Sequence, residues 1–316
     1  MNAAVDFAAR QRINQSDLEA YREAKDPGSY VVSIANYADG VADLLHGKGL
    51  EGDTLPWPKT HHQFRFRPQE VTLWHGINGH GKSAVTTQVA LYLAIHGVKS
   101  CIGSFEMHPN RTAHRMLLQC AGNTNPSDAF FAQFFVTMCP RIWLYDKRGR
   151  VQTDYLYAAM RFCAIEKGIT HFFVDSLMKC VEKEDDYNGQ KSFVGDLCDL
   201  AKELNIHVHL IHHTKKLSDE KQVPSKFDAK GSGAISDQVD NVIGVWRNKA
   251  KEAAKEAAQT GAALDNETPD FLLCCDKQRN GGWEGKWALW GNLETWFFRE
   301  NHQERWLRGY ELESAK

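Results

Sequence analysis

Apolar and polar positions change rhythm several times along the chain. Val31, Ile34, Ala35, Ala38, Val41, Leu44 and Leu45 recur at helical spacing until Gly47-Lys48-Gly49 stops the run. So short a stripe is not stable as an isolated helix. It predicts a helix that docks either on the body of the chain or on a neighbouring copy. From residue 70 onward, short apolar runs alternate with amphipathic stretches. Val71–His75, Lys99–Ser104, Arg141–Tyr145, His171–Val174, His207–Ile211, Asn241–Trp246 and Phe271–Cys275 read as buried strands. Between them, Val85, Val89 and Leu93 mark one helix and Arg111–Ala121 a second. Leu156, Met160 and Cys163 line a third, and Phe193, Leu197, Leu200, Ala201 and Leu204 a fourth. Strands alternating with helices predict a parallel sheet covered on both faces.

Trp287–Trp290 and Thr295–Phe298 read as a hairpin closing the sheet edge, with Gly291-Asn292 as its turn. Lys249–Ala263 carries no large apolar residue and reads as a solvated helical excursion. Residues 1 to about 28 are polar and end at Pro27-Gly28, a helical or irregular arm.

Composition narrows the class. Hydrophobic residues make up 42% and charged residues 25% of the 316, an ordinary globular balance. Lys+Arg 38 against Asp+Glu 40 excludes a generally basic nucleic-acid coat but leaves room for a local basic loop. No apolar run is long enough to span a membrane, and the first residues contain no secretory core, so the expectation is a cytoplasmic protein that is not secreted. The 8 cysteines are scattered, without C-x-x-C, and read as buried thiols in a reducing compartment. The adjacent pairs His61-His62 and His212-His213 point to opposite sides of an extended chain, which disfavours a structural metal site.

The chemistry begins at Gly76-Ile-Asn78-Gly79-His80-Gly81-Lys82-Ser83-Ala84, which matches G-x-x-x-x-G-K-[ST] between a strand and a helix. Glycines let the backbone wrap a phosphate, and the helix N-terminus favours its charge. Lys82 reaches the β- and γ-phosphates of ATP in such a loop, and Ser83 ligates Mg²⁺. Asp175 ends the apolar strand His171–Val174 at the same sheet edge, where a carboxylate can orient the metal. Glu106 follows the second strand. It could polarise an attacking water, or be an ordinary exposed carboxylate. His213 ends a further strand, and at most one of His212 and His213 faces the nucleotide. The stretch after it, with Lys215, Lys216 and then Lys230-Gly231-Ser232, could track nucleic-acid phosphates or simply be a solubilising loop.

In order, these pieces resemble the RecA-type motor of DnaB-type replicative helicases. GINGHGKS resembles Walker A, Ser104-Phe-Glu106-Met the strand-end catalytic glutamate, and Phe173-Val-Asp175-Ser Walker B. Ile211-His-His213-Thr-Lys215-Lys216 resembles the γ-phosphate sensor and DNA loop. Lys230–Ser236 with Asp240–Asn248 resembles a further segment of the family, and Lys277-Gln-Arg279-Asn-Gly the one that gives a lysine and an arginine finger to the next subunit. The resemblance covers roughly residues 56 to 300.

It implies an α/β fold: a RecA-like P-loop core, a mostly parallel twisted sheet with helices on both faces, and a short helical N-terminal extension. Residues 1–55 would form the arm and docking helix, and 56–316 the motor. It further implies a hexameric ring that hydrolyses Mg-ATP between subunits and moves on single-stranded DNA. Lys82, Glu106, His213, Arg279 and Lys277 would be its catalytic set, and Lys215, Lys216, Lys230, Gly231 and Ser232 its DNA contacts.

Residues 1–55 leave no space for a primase domain, so primase and polymerase would be separate partners, or the protein works away from a fork. His213 in place of the bacterial glutamine sides with the phage and mitochondrial branch, and so with a host cytoplasm if the source is viral. Asp237 and Trp246 sit inside matching segments without an assigned role. A RecA-type recombination ATPase is the competing enzyme reading, and a nucleotide-bound replication scaffold or loader the non-enzymatic one.

Overall fold

The computed structural model describes residues 19, 33–46, 52–181, 183, 185–214, 222–229, 233–257 and 267–302. Helix α1 spans Ala38–Leu45, after a short 3-10 turn Ile34–Tyr37. Then come β1 (Val71–Gly76), α2 (Lys82–Ile95), β2 (Ser100–Ser104), α3 (Pro109–Ala121) and α4 (Asp128–Met138). They are followed by β3 (Ile142–Leu144), α5 (Thr153–Lys167), β4 (His171–Asp175), α6 (Tyr187–Leu204) and β5 (His207–His213). The chain continues through α7 (Ala234–Gln238), β6 (Asn241–Arg247), α8 (Lys249–Ala257), β7 (Phe271–Gln278), β8 (Gly285–Asn292) and β9 (Phe297–Arg299).

The strands form one nine-stranded sheet in the order β3-β2-β4-β5-β1-β6-β7-β8-β9. From β3 to β6 all pairs are parallel, as the strand–helix alternation predicts. The last three pairings, β6–β7, β7–β8 and β8–β9, are antiparallel. Period-2 alternation divides the sheet residues between two cores. Trp74, Phe173 and Ile211 pack with α2, α3 and α4. Val71, Leu73, Phe172, Val174, Val208 and Leu210 pack with α5 and α6.

Local chemistry sets the element ends. Ser127 caps α4 by accepting from the Phe130 amide at 3.2 Å. Asn205 closes α6 in the left-handed conformation that asparagine tolerates. Helix α4 is an element that the sequence pattern leaves unmarked. Apolar residues, Phe131 and Val136 included, continue onto its exposed side, so no 3.6 period stands out.

Two sequence expectations change, and one left open is narrowed. Gly291 and Asn292 are strand residues, paired with Phe298 and Phe297, and the reversal falls at 293–296. Gly291 is required for space, since a Cβ there would meet the Phe271 ring at 2.6 Å. The excursion after β6 is tied down rather than merely solvated: Lys251 and Lys255 lie 2.7 and 3.3 Å from Asp270. Its residues 258–263 fall outside the described ones. Helix α1 does not dock on its own domain among the described residues; none of its side chains is buried, and Leu45 is 80% exposed.

Seven cysteines are buried and Cys139 is partly so, all as free thiols. Several histidines also sit in the core. The Trp74 Nε1–H donates to His209 Nδ1 at 3.2 Å, His209 Nε2 meets His171 Nδ1 at 3.0 Å, and His171 Nε2 meets Asp53 at 2.9 Å. Burial pushes His207 and His209 well below the ordinary imidazole range, so these rings are neutral core groups satisfied by hydrogen bonds. Among the described residues no group of three His, Cys, Asp or Glu is placed to hold a metal ion, and no helix is long and apolar enough to cross a membrane.

Candidate nucleotide-hydrolysis site

The C-terminal ends of β1, β2, β4 and β5 meet at one edge, and a cleft of about 820 Å³ opens there. Its walls include Asn78, Gly79, Gly81, Lys82, Ser83 and Ala84. Phe105 and Glu106 come from beyond β2, Asp175 from β4 and His213 from β5. The fold explains the loop sequence. Gly81 caps α2 at φ 86, a conformation side chains rarely adopt. A Cβ on Gly76 would lie 2.4 Å from the Val245 carbonyl of the neighbouring strand.

Not every loop residue faces the cleft. Gly76 offers its carbonyl to the Lys82 ammonium at 2.8 Å rather than lining the wall. His80 is fully buried and turned away; its Nδ1 accepts from the Arg247 amide at 3.1 Å. Its role is therefore to tie the loop to β6, because an imidazole aimed into the cleft would lose that bond. His212 is likewise fully buried and outside the cleft, while His213 lines it.

The Ser83 hydroxyl donates to Asp175 Oδ2 at 2.6 Å. Two hard oxygen donors thus stand together at the first turn of α2, the donor set that Mg²⁺ takes. The residues present fit that ion. Desolvation raises the Asp175 carboxyl, opposed by the Ser83 hydrogen bond and the Lys82 charge. Glu106 behaves differently. The neighbouring His213 imidazole, the Ser176 hydrogen bond and the Lys179 charge outweigh its burial and hold its carboxyl at about 2. Ser176 Oγ donates to Glu106 at 2.8 Å, and His213 Nε2 lies 3.7 Å away.

Burial lowers the Lys82 ammonium to about 8, against the raising influence of Asp175 and Glu106. A phosphate would oppose that shift, so nucleotide binding above pH 8 takes up a proton. Affinity for ATP is expected to weaken between pH 7 and 9 as free Lys82 loses its charge. Titration of a fluorescent ATP analogue at both pH values checks this, and a flat profile would remove Lys82 from phosphate binding.

Three wall residues carry no motif and were missed. Arg115, on α3, is half-buried and faces the Asp175 charge. Lys179 lies near Glu106. Trp296 stands over the P-loop, with the Arg247 guanidinium 5.6 Å and that of Arg115 6.0 Å from its ring centre. Its place is set from far along the chain: Gln88 on α2 donates to the Phe298 carbonyl at 2.8 Å and accepts from its amide at 2.8 Å.

Lys277 and Arg279 are not in this cleft. They sit at the other end of the sheet, where the Arg279 amide donates to the Asp240 carbonyl and the Asp240 amide to that of Val71, the first residue of β1. The predicted DNA contacts Lys215, Lys216, Lys230, Gly231 and Ser232 lie outside the described residues.

Residues 56–219 match the AAA domain family, over half of the chain. This protein is a member of the AAA domain family. The match carries the P-loop, Glu106, Asp175 and His213 in one unit. Among solved structures the AAA protein is similar to the ATPase domain of G40P, with TM-score 0.70 and 18% identity, over 85% of this chain and 99% of that one. It is also similar to a DnaB-like replicative helicase described with its primase interactions, with TM-score 0.67 and 18% identity, over 85% of this chain and 67% of that one. The fold is thus the RecA-like core of DnaB-like helicase ATPase domains.

Proposed function

We propose that this AAA protein is a ring-forming DNA helicase of the DnaB type, which couples ATP hydrolysis at subunit interfaces to movement on single-stranded DNA. One observation carries the reading. The cleft gathers Lys82, Ser83, Asp175 and Glu106, whereas the Arg279 side chain is 47% exposed at the opposite end of β1. Six strand residues at about 3.3 Å each separate the two, roughly 20 Å. The arginine therefore serves another copy's nucleotide, and hydrolysis requires assembly.

Lys82 and the loop amides bind the phosphates. Ser83 and Asp175 would hold Mg²⁺, which neutralises charge on the β- and γ-oxygens when bound. Glu106 orients water for in-line attack, and the low pKa suits a group that stays ionised and accepts a hydrogen bond. His213 touches Glu106 and is followed, after Thr214, by the lysine-bearing stretch, so the state of the γ-phosphate can reach the DNA contacts. Trp296 offers the nucleotide base an aromatic face. The exposed Ile34, Val41, Leu44 and Leu45 of the N-terminal helical segment dock on the adjacent subunit. A primase, as described for the DnaB-like structure, is a candidate partner.

Steady-state ATP turnover with and without single-stranded DNA, followed by strand displacement on a forked duplex, tests the reading. Strong stimulation and unwinding are expected. DNA-stimulated turnover without unwinding would favour a recombination ATPase, and no turnover by the assembled ring would favour a scaffold. Changing Lys215 and Lys216 together to alanine is expected to weaken DNA binding and flatten its salt dependence. An unchanged salt slope would leave that stretch as solvated surface.

A further inference from the structure

The finger segment is held in a way that no motif describes. The Lys277 ammonium donates to three carbonyls at the end of α7: Ser236 at 2.8 Å, Asp237 at 2.9 Å and Val239 at 2.8 Å. An ammonium has three donors, and all three are used. Arg279 Nη2 donates to the carbonyls of Asp237 and Gln238 at 3.2 and 3.1 Å. Its Nη1 lies 3.2 Å from Asp240 Oδ1.

Asp240 is the centre of this arrangement. It is only 7% exposed, and its second oxygen accepts from the Val71 amide at 2.9 Å. One carboxylate thus joins the guanidinium to the start of β1, the strand that ends in the P-loop. Asn280, the next residue after the finger, donates to buried Glu70 at 2.8 Å. Glu70 also accepts from Asn241 at 2.9 Å. The guanidinium is therefore held by Asp240 and the α7 carbonyls while nearly half of the Arg279 side chain stays exposed.

We infer that Asp240 is a positioning residue for Arg279: with the α7 carbonyls gripped by Lys277, it presets the guanidinium for the neighbouring subunit's nucleotide. This rests on the trans-acting reading of Arg279. A preset arginine loses less freedom when it engages the transition state, and misplacement by about 1 Å can cost about 10²-fold in rate. Lys277 acts in the same way, as the clamp on α7. Asp237, inside the matching segment but without an assigned role, contributes its carbonyl to both Lys277 and Arg279.

The test is a double-mutant cycle on assembled protein. Asp240→Asn keeps an oxygen for the Val71 amide and removes the charge on Arg279. It is expected to lower kcat by about 10²-fold while leaving KM for ATP and binding of a fluorescent ATP analogue unchanged. In an Arg279→Ala background, followed at high enzyme concentration over hours, the same change should lower turnover no further. An additional loss there, or a raised KM, would overturn the inference and make Asp240 structural. Full activity of Arg279→Ala alone would instead overturn the trans-acting reading. Should Asp240→Asn fail to bind nucleotide, Lys277→Met tests the same cradle from the α7 side. The same cycle is expected for it, and independent, additive losses would overturn the inference.

Discussion

Arg279→Ala is expected to lower ATP turnover by about 10³–10⁵-fold, the range for arginines that stabilise phosphoryl transfer. Nucleotide binding should survive, because Arg279 is absent from the wall of its own cleft. The size of the effect follows from where charge develops. In-line transfer spreads negative charge over the equatorial oxygens, and only a cation added in that state lowers the barrier. In the proposed ring, Arg279 supplies that cation. Its backbone is anchored by the Asp240 carbonyl, and its side chain is nearly half exposed. The measurement is kcat with and without single-stranded DNA, beside the affinity for an ATP analogue. Turnover near the parent's would place the stabilising cation elsewhere, with Arg115 in the cleft the first alternative.

Glu106→Gln is expected to reduce kcat by about 10²–10⁴-fold with little change in ATP affinity. Glutamine keeps the shape but loses the charge that orients water for attack. The pH profile adds a second check. The Glu106 carboxyl is held at about 2 by His213, Ser176 and Lys179. Being depressed, it contributes stability that is full above the ordinary carboxylate range and is lost progressively as pH falls from that range through about 2. Because the group is substantially exposed, solvent screens that contribution. Activity should therefore show no acid limb from Glu106 at moderate pH. In His213→Ala the neighbouring imidazole is gone, and the limb should move up toward the ordinary carboxylate range. An unshifted limb would separate His213 from Glu106.

Much of the fold was legible because burial imposes period. The strands from Val71 to Ile211 are apolar runs bounded by polar residues, and each lies in the sheet as expected. Helix α6 shows a clean 3.6-residue repeat, with Phe193, Leu197, Leu200 and Ala201 buried. The P-loop was legible for another reason: phosphate wrapping demands glycines at fixed offsets, and these survive any surroundings. Where period was lost, so was the element. Helix α4, with apolar residues on its exposed side as well as its buried one, gave no signal. The antiparallel direction of β7 could not be read from its residues, because a buried strand is apolar whichever way it runs.

The sequence by itself determined the strand–helix alternation, the phosphate loop, the carboxylates at two strand ends and the segment that carries Lys277 and Arg279. Each depends on neighbours along the chain, through period, turn chemistry or a fixed spacing. Only the tertiary structure decided which loop residues face the cleft, turning His80 and His212 inward and His213 outward. It also brought Trp296 into the cleft wall beside Gly81, next to a strand that Gln88 holds through Phe298. And it put Arg279 at the far end of β1, held by Asp240 and the end of α7. These are contacts between residues distant in sequence. They are set by strand order and packing, which no local pattern of residues encodes.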